Sequence, residues 1–152
     1  MLKEGKKAPI FSLLNQNENN VCSKDFLGKW IVLYFYPKDN TPGCTIEALD
    51  FTKLKSEFDK LNCAVIGISK DSCESHKKFV DGKNLSIILL SDSDKEVNKK
   101  YDVWKPKTFM GKEFLGTVRS TFLIDPKGKI TKIWYDVSAN GHAKDVLDYM
   151  KR

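Results

Sequence analysis

Seven consecutive apolar or aromatic residues, Trp30-Ile31-Val32-Leu33-Tyr34-Phe35-Tyr36, interrupt an otherwise polar, lysine-rich chain. A β-branched and aromatic run with no polar alternation suits a strand buried on both faces, and such strands lie in the middle of sheets that helices cover. The flanking sequence agrees. Ile46, Leu49, Phe51, Leu54, Phe58 and Leu61 recur at spacings near three and four, which predicts an amphipathic helix from Thr45 to Leu61. Ala64-Val65-Ile66-Gly67-Ile68-Ser69 reads as a second buried strand. Asp71 or Ser72 is placed to cap a helix through Val80, and Ile87 to Leu90 reads as a third strand. Ser93 and Glu96 have capping-box spacing ahead of a helix to Asp102.

Ala8 to Leu14 and Asn20 to Cys22 flank a polar turn, predicting an N-terminal β-hairpin. Trp104 to Val118 mixes Pro, Gly and Lys without periodicity and reads as a long loop of the kind that borders a site. Ser120 to Ile124, the turn Asp125-Pro126-Lys127-Gly128 and Lys129 to Tyr135 predict a second hairpin; Ala143, Val146, Leu147 and Met150 mark a final helix. Strand-helix alternation implies parallel pairing, and the late hairpin adds antiparallel strands. The expected fold is therefore α/β: a thioredoxin-like mixed central β-sheet with helices on both faces and an N-terminal β-hairpin. With 152 residues, 41% apolar content and no linker, residues 1–152 are expected to form one domain.

The apolar runs are too short to span a bilayer, and the first residues lack the apolar core of a signal peptide, so a soluble cytoplasmic protein is expected. The net charge of +6 comes from scattered lysines without interleaved aromatics, which argues for a solvated basic surface and against nucleic-acid binding. His76 and His142 lie at helix starts with no neighbouring ligand set; both are expected on the surface, with no metal site and no cofactor. Cys22, Cys44, Cys63 and Cys73 form no Cys-x-x-Cys pair, so free thiols are expected in a reducing compartment.

Cys44 is placed differently from the other three. It closes Pro37-Lys38-Asp39-Asn40-Thr41-Pro42-Gly43-Cys44, between the central strand and a helix start, where a thiolate is favoured by the helix dipole. Ionisation alone does little: a fall in thiol pKa from ~8.5 to ~6 gains roughly thirtyfold in thiolate but gives back about tenfold in nucleophilicity. A fast thiol enzyme must also place donors where charge develops. Thr41 can present a hydroxyl, Gly43 and Cys44 offer backbone N–H groups, and Pro37 and Pro42 limit the loop's freedom, with Pro37 able to shield the sulfur from water. The candidate cation is Arg119. Only two of the 26 basic residues are arginines, the other being the terminal Arg152. Its planar fork suits a sulfur and an attacked oxygen together, although an arginine at a strand start is also an ordinary surface residue.

The segment Tyr36 to Ala48 resembles the active-site signature of peroxiredoxins, Pro-x-x-x-Thr-x-x-Cys followed by Glu three residues on. Gly67 to Asp71, Leu90-Ser91-Asp92, Phe109 to Lys112 and Arg119 to Asp125 resemble the bacterioferritin comigratory protein subfamily along essentially the whole chain. The resemblance implies a thiol-dependent peroxidase in which Cys44 attacks hydrogen peroxide or an organic hydroperoxide and becomes a sulfenic acid, recycled by thioredoxin or another thiol in a monomeric protein. It also implies that Thr41 and Arg119 hold thiolate and peroxide, that Pro37 shields the site, and that Glu47 orients Arg119. Glu47 has a plainer alternative, an acidic residue favoured by the dipole of a helix's first turn.

The chain departs from the subfamily at its resolving cysteine: the position five residues after Cys44 is Leu49, and the next-helix position near Val80 has no cysteine. Cys73, in the first turn of that helix, is the remaining candidate, against a cycle in which an external thiol acts. Cys63 and Cys22 read as structural. Trp104, Phe109 and Phe114 either wall the active loop or pack the long loop. Two other functions compete: a thioredoxin-like disulfide reductase, which needs a second thiol where Thr41 stands, and a non-enzymatic peroxide sensor.

Overall fold

The computed structural model describes residues 2–152. The apolar run forms strand β3 (Trp30–Phe35), and its side chains alternate between two cores. Val32 and Tyr34 enter one, with Tyr36 just beyond the strand, while Ile31, Leu33 and Phe35 enter the other. That division explains the missing polar alternation, because neither face of the strand meets water.

β3 pairs in parallel with β4 (Cys63–Ser69), which pairs in parallel with β5 (Ile88–Ser91). On the other side of β3 runs antiparallel β8 (Ser120–Ile124), followed by β9 (Ile130–Trp134). The N-terminal hairpin of β1 (Ser12–Asn15) and β2 (Asn20–Cys22) extends the sheet beyond β5, giving the order β2-β1-β5-β4-β3-β8-β9. Helices α1 (Pro42–Lys53), α2 (Lys55–Lys60), α3 (Cys73–Lys83) and α5 (His142–Met150) send Phe51, Phe58, Phe79 and Val146 into the first core. The short α4 (Glu96–Lys100) covers the second core with Val97. The mixed sheet with helices on both faces is as expected.

Where β3 and β4 run side by side, Tyr34 is opposite Gly67. A Cβ at Gly67 would lie 2.7 Å from the Tyr34 ring and 2.9 Å from Leu89 Cδ2, so only glycine lets that aromatic ring lie across the sheet. Tyr34 then stacks on Phe51 at 4.8 Å, docking α1 onto β3.

Several local expectations are corrected. The helix expected from Thr45 begins three residues earlier, because Pro42 with its fixed φ occupies the first helical position and Thr41 takes the cap. It also breaks at Leu54 (φ −95°, ψ 4°) and resumes as α2; Leu54, Phe58 and Leu61 still reach the core, so the periodicity runs through the break unmarked. The capping box at Ser93 is absent: Lys95 takes the cap position with φ 63°, and Asp92 accepts from the Val97 and Asn98 N–H groups at 3.1 and 2.7 Å. The expected loop at Trp104 to Val118 is a hairpin of β6 (Trp104–Phe109) and β7 (Lys112–Thr117), turning at Met110-Gly111 with positive φ at both residues. Most of its side chains face water, so it carries none of the alternation by which strands are recognised.

Candidate active site

Cys44 is the third residue of α1 and is 1% exposed. The first main-chain hydrogen bond of the helix runs from Thr45 N–H to Thr41 O at 2.8 Å. The Gly43 and Cys44 N–H groups precede it and have no intrahelical acceptor, so positive potential converges on the sulfur.

Arg119 reaches this sulfur from the strand next to β3. Phe35 is opposite Ser120 in the β3–β8 register, so Arg119, one residue before Ser120, comes alongside the end of β3 where the Cys44 loop begins. Its carbonyl accepts from Val137 N–H at 2.9 Å, which fixes the main chain there. Arg119 Nη2 is 3.4 Å from Cys44 Sγ, and Nη1 donates to Glu47 Oε1 at 2.6 Å. Glu47 lies one turn of α1 after Cys44 and is fully buried, so the two α1 side chains grip one guanidinium. Burial outweighs the attraction of Arg119 and pushes the Glu47 carboxyl up to about 7. Among the described residues its Oε2 has no hydrogen-bond partner, and the same is true of the buried Tyr34 hydroxyl.

Gly43 makes room for this arrangement. A Cβ there would lie 3.1 Å from Arg119 Nη2. The sequence gives glycine here no obvious task beyond the loop, since its φ is not in the left-handed region and the guanidinium comes from a distant strand.

The rest of the loop is held by its own bonds. Thr41 Oγ1 donates to Lys38 O at 2.9 Å; among the described residues no hydrogen bond joins it to Cys44 Sγ. Pro37 is half-buried, and its carbonyl accepts from Lys70 Nζ at 3.2 Å. Lys107 on β6 donates to Thr117 O at 2.9 Å, and burial first, then the Arg119 guanidinium, lowers its ammonium pKa. Lys70 and Lys107 thus add positive charge around the loop, which the uniform scatter of lysines in the sequence concealed.

Both histidines are buried, against expectation. His142 Nε2 is 2.7 Å from Thr121 Oγ1, and burial pushes its imidazole down to about 4. His76 lies between Asp39 and β5, with Nδ1 2.7 Å from Asp39 Oδ2 and Nε2 2.9 Å from Leu90 O. Each histidine opens the apolar face of its helix, His76 with Phe79 and His142 with Ala143 and Val146, and that spacing was the missed signal. Asp39, Asp71 and His76 bring their ligand atoms within 4.8 Å of one another, a spacing a metal ion could use. The carboxylates already accept from Tyr36, Ser69 and Ser75 hydroxyls at 2.6 to 2.8 Å, so the cluster is saturated with hydrogen-bond donors.

All four cysteines are free thiols. Cys63 is buried, which pushes its thiol up to about 12 and makes it inert. Cys22 is half-buried beside Ser12 and Asn20 in the hairpin, and Cys73 is half-buried at the first position of α3. Phe109 and Phe114 are exposed at 68% and 47%, so neither packs a loop, while Trp104 lies beneath Lys95 Nζ at 5.9 Å.

Comparison with known proteins places this geometry in a family. The AhpC/TSA family model matches residues 5–133. Peroxiredoxin Bcp of Bacillus subtilis is 45% identical over 147 residues, covering 97% of this chain and 94% of that protein. The bacterioferritin comigratory protein of Xanthomonas campestris, solved in trapped intermediate and ligand complexes that address its alkyl peroxide reduction, is 38% identical with a TM-score of 0.91 over 98% of both chains. A mutant of PrxQ from Xylella fastidiosa is 37% identical with a TM-score of 0.95, covering 99% of this chain and 96% of that one. This chain belongs to the AhpC/TSA family, among the peroxiredoxins of the Bcp type.

Proposed function

We propose that the protein is a thiol-dependent peroxidase whose reacting atom is the sulfur of Cys44. The observation that carries this reading is the 3.4 Å contact between Arg119 Nη2 and Cys44 Sγ, with Glu47 holding the other arm of the guanidinium. A fixed cation and the α1 N–H groups favour negative charge on the sulfur and on the oxygen it attacks, and they do so without reorganising during the reaction.

In the proposed cycle the Cys44 thiolate attacks one oxygen of hydrogen peroxide or an organic hydroperoxide. The O–O bond breaks, an S–O bond forms, and the departing oxygen takes a proton to leave as water or alcohol. Arg119 holds sulfur and peroxide together, Glu47 fixes Arg119, and Pro37 shields the sulfur. Thr41 keeps its loop closed through Lys38 and leaves its hydroxyl oxygen free to accept from the peroxide. The product is a sulfenic acid at Cys44. Thioredoxin or another thiol then displaces water to form a mixed disulfide, and a second thiol releases Cys44.

Resolution by an external thiol fits this chain better than a bond to Cys73. Cys44 is buried in α1, Cys73 opens α3, and the bonds of Asp39 to Ser75 and His76 stand between the loop and that helix. A disulfide would require Cα atoms about 4.4 to 6.8 Å apart and hence unfolding of the first turns. A disulfide reductase would need a second thiol three residues from Cys44, and Thr41 holds that place. The working unit we propose is one domain of residues 1–152, acting as a cytoplasmic monomer, because each face of its sheet is covered by its own helices and all four thiols are free.

The test is consumption of hydrogen peroxide by the purified protein with dithiothreitol or with thioredoxin and its reductase. Saturating, multiple-turnover consumption that Cys44→Ser abolishes is expected. Unchanged turnover in Cys44→Ser would overturn the assignment, and a single stoichiometric oxidation with no turnover would favour a sensor.

A further inference from the structure

Asp39 stands five residues before Cys44 in the same loop, yet its side chain is almost wholly buried and points away from the sulfur, into the side of α3. Tyr36 Oη donates to Oδ1 at 2.6 Å, Ser75 Oγ donates to Oδ2 at 2.8 Å, and His76 Nδ1 is 2.7 Å from Oδ2. The Asp39 N–H donates to Asp71 Oδ2 at 2.8 Å, and Asp71 Oδ2 also accepts from Ser69 Oγ at 2.6 Å. The loop is therefore joined by side chain and main chain to β3, to the end of β4 and to the first turn of α3.

The partners of His76 define its chemistry. Leu90 O can only accept, so Nε2 carries a hydrogen. Nδ1 faces Asp39 Oδ2 at 2.7 Å, so those two atoms share one hydrogen. His76 and Asp39 are 0% and 3% exposed, and a buried hydrogen-bonding group that loses its partner is left unsatisfied. Among the described residues no hydrogen bond of this pair reaches Cys44 or Arg119, so the pair can act on the sulfur only by holding its loop.

We propose that Asp39 and His76 are positioning residues that clamp the Cys44 loop onto α3 in the arrangement that reduces peroxide, and that release of this clamp limits access of a thiol to oxidised Cys44. The inference rests on the peroxidase reading above. While the clamp is closed, the loop between Pro37 and Thr41 is fixed and Cys44 stays 1% exposed beside Arg119. That arrangement suits a small hydroperoxide and excludes a bulky thiol. Resolution follows Cys44–SOH + RSH → Cys44–S–S–R + H2O, and the attacking thiol must approach the sulfur in line with the S–O bond. Opening the loop serves this step at the expense of the first.

The clamp thus pulls the two half-reactions in opposite directions, which a merely structural role would not do. The experiment measures each separately on the full-length protein by rapid quench and mass spectrometry, in the native chain, His76→Leu and Tyr36→Phe. Tyr36→Phe retains the ring and removes only the hydroxyl bonded to Asp39, so it remains informative if His76→Leu fails to fold. Removing a buried hydrogen bond should slow peroxide oxidation of Cys44 by about tenfold and speed attack of dithiothreitol on the preformed sulfenic acid by about tenfold. The hydroxyl variant should show the same split at smaller size. Variants that change both steps in one direction, or neither, would overturn the clamp while leaving the peroxidase reading intact. A native chain that forms no sulfenic acid with peroxide would overturn both.

Discussion

The guanidinium of Arg119 lies against the bare Cα of Gly43, its Nη2 only 3.1 Å from where a β-carbon would sit. The same nitrogen is 3.4 Å from Cys44 Sγ, so the approach of guanidinium to sulfur is set partly by an atom the chain lacks. Gly43→Ala should improve the helix slightly, because Gly43 is the second residue of α1 and alanine is the better helix former. It should nevertheless slow peroxide oxidation of Cys44 by about tenfold, since small misplacements of an orienting group are costly. Stopped-flow oxidation and thermal melting, measured together, separate the two effects. An unchanged oxidation rate would mean the guanidinium gives way freely.

Arg119→Ala removes the cation from both the sulfur and Glu47. Peroxide oxidation should fall by about 10² to 10³, the usual loss of a fixed charge-stabilising donor. Arg119→Lys should recover little, because an ammonium cannot hold Glu47 and the sulfur with two parallel arms. Second-order rate constants with hydrogen peroxide provide the measurement.

Glu47 makes stability depend on pH in a sense unusual for a carboxylate. Its folded pKa, raised by burial to about 7, lies above the ordinary 4.5 of an unfolded chain, so the folded state binds the proton more tightly. The stabilising contribution is complete below pH 4.5 and disappears as pH rises through 7, a change of up to about 3 kcal/mol. Urea unfolding at pH 5 and pH 8 should show a larger loss for the native chain than for Glu47→Gln. Parallel pH dependence of the two proteins would contradict this assignment.

His142 acts on the acid side. Burial lowers its folded pKa to about 4 from 6.5, so the folded state resists the proton that the unfolded chain accepts. Stability from this group is present above pH 6.5 and is lost as pH falls towards 4. His142→Gln retains a donor for Thr121 without the titration and should flatten the acid limb of the stability profile, as read by denaturant midpoints between pH 4 and 7.

Cysteine reactivity should follow position. Iodoacetamide at pH 8 should leave Cys63 unmodified in the folded protein, because burial pushes its thiol up to about 12. After one equivalent of peroxide, peptide mass spectrometry should find a sulfenic acid or mixed disulfide at Cys44, with no crosslink between Cys44 and Cys73.

The succession of most strands and helices along the chain was legible because a strand buried on two faces and a helix buried on one leave different local periods in the sequence. The run from Trp30 to Tyr36 and the heptad-like spacing from Ile46 to Leu61 are such records, and they place Cys44 where a strand meets a helix without any coordinates. Periodicity reports burial of an element but not interruptions that preserve it, so the break at Leu54 was invisible. It also fails where both faces of a hairpin meet water, as from Trp104 to Thr117.

Contacts across the sheet leave no such record; Arg119 was singled out by its rarity among the cations and by the family resemblance. Arg119 meets Cys44 across 75 residues because β8 lies against β3, and nothing local to either residue encodes that adjacency. The burial of His76 depends likewise on Asp39 turning inward from a polar loop, 37 residues away. Residue types and spacing determined which groups this chain has available for chemistry. Tertiary packing alone decided which of them share one dry pocket, because proximity between distant segments is a property of the assembled sheet.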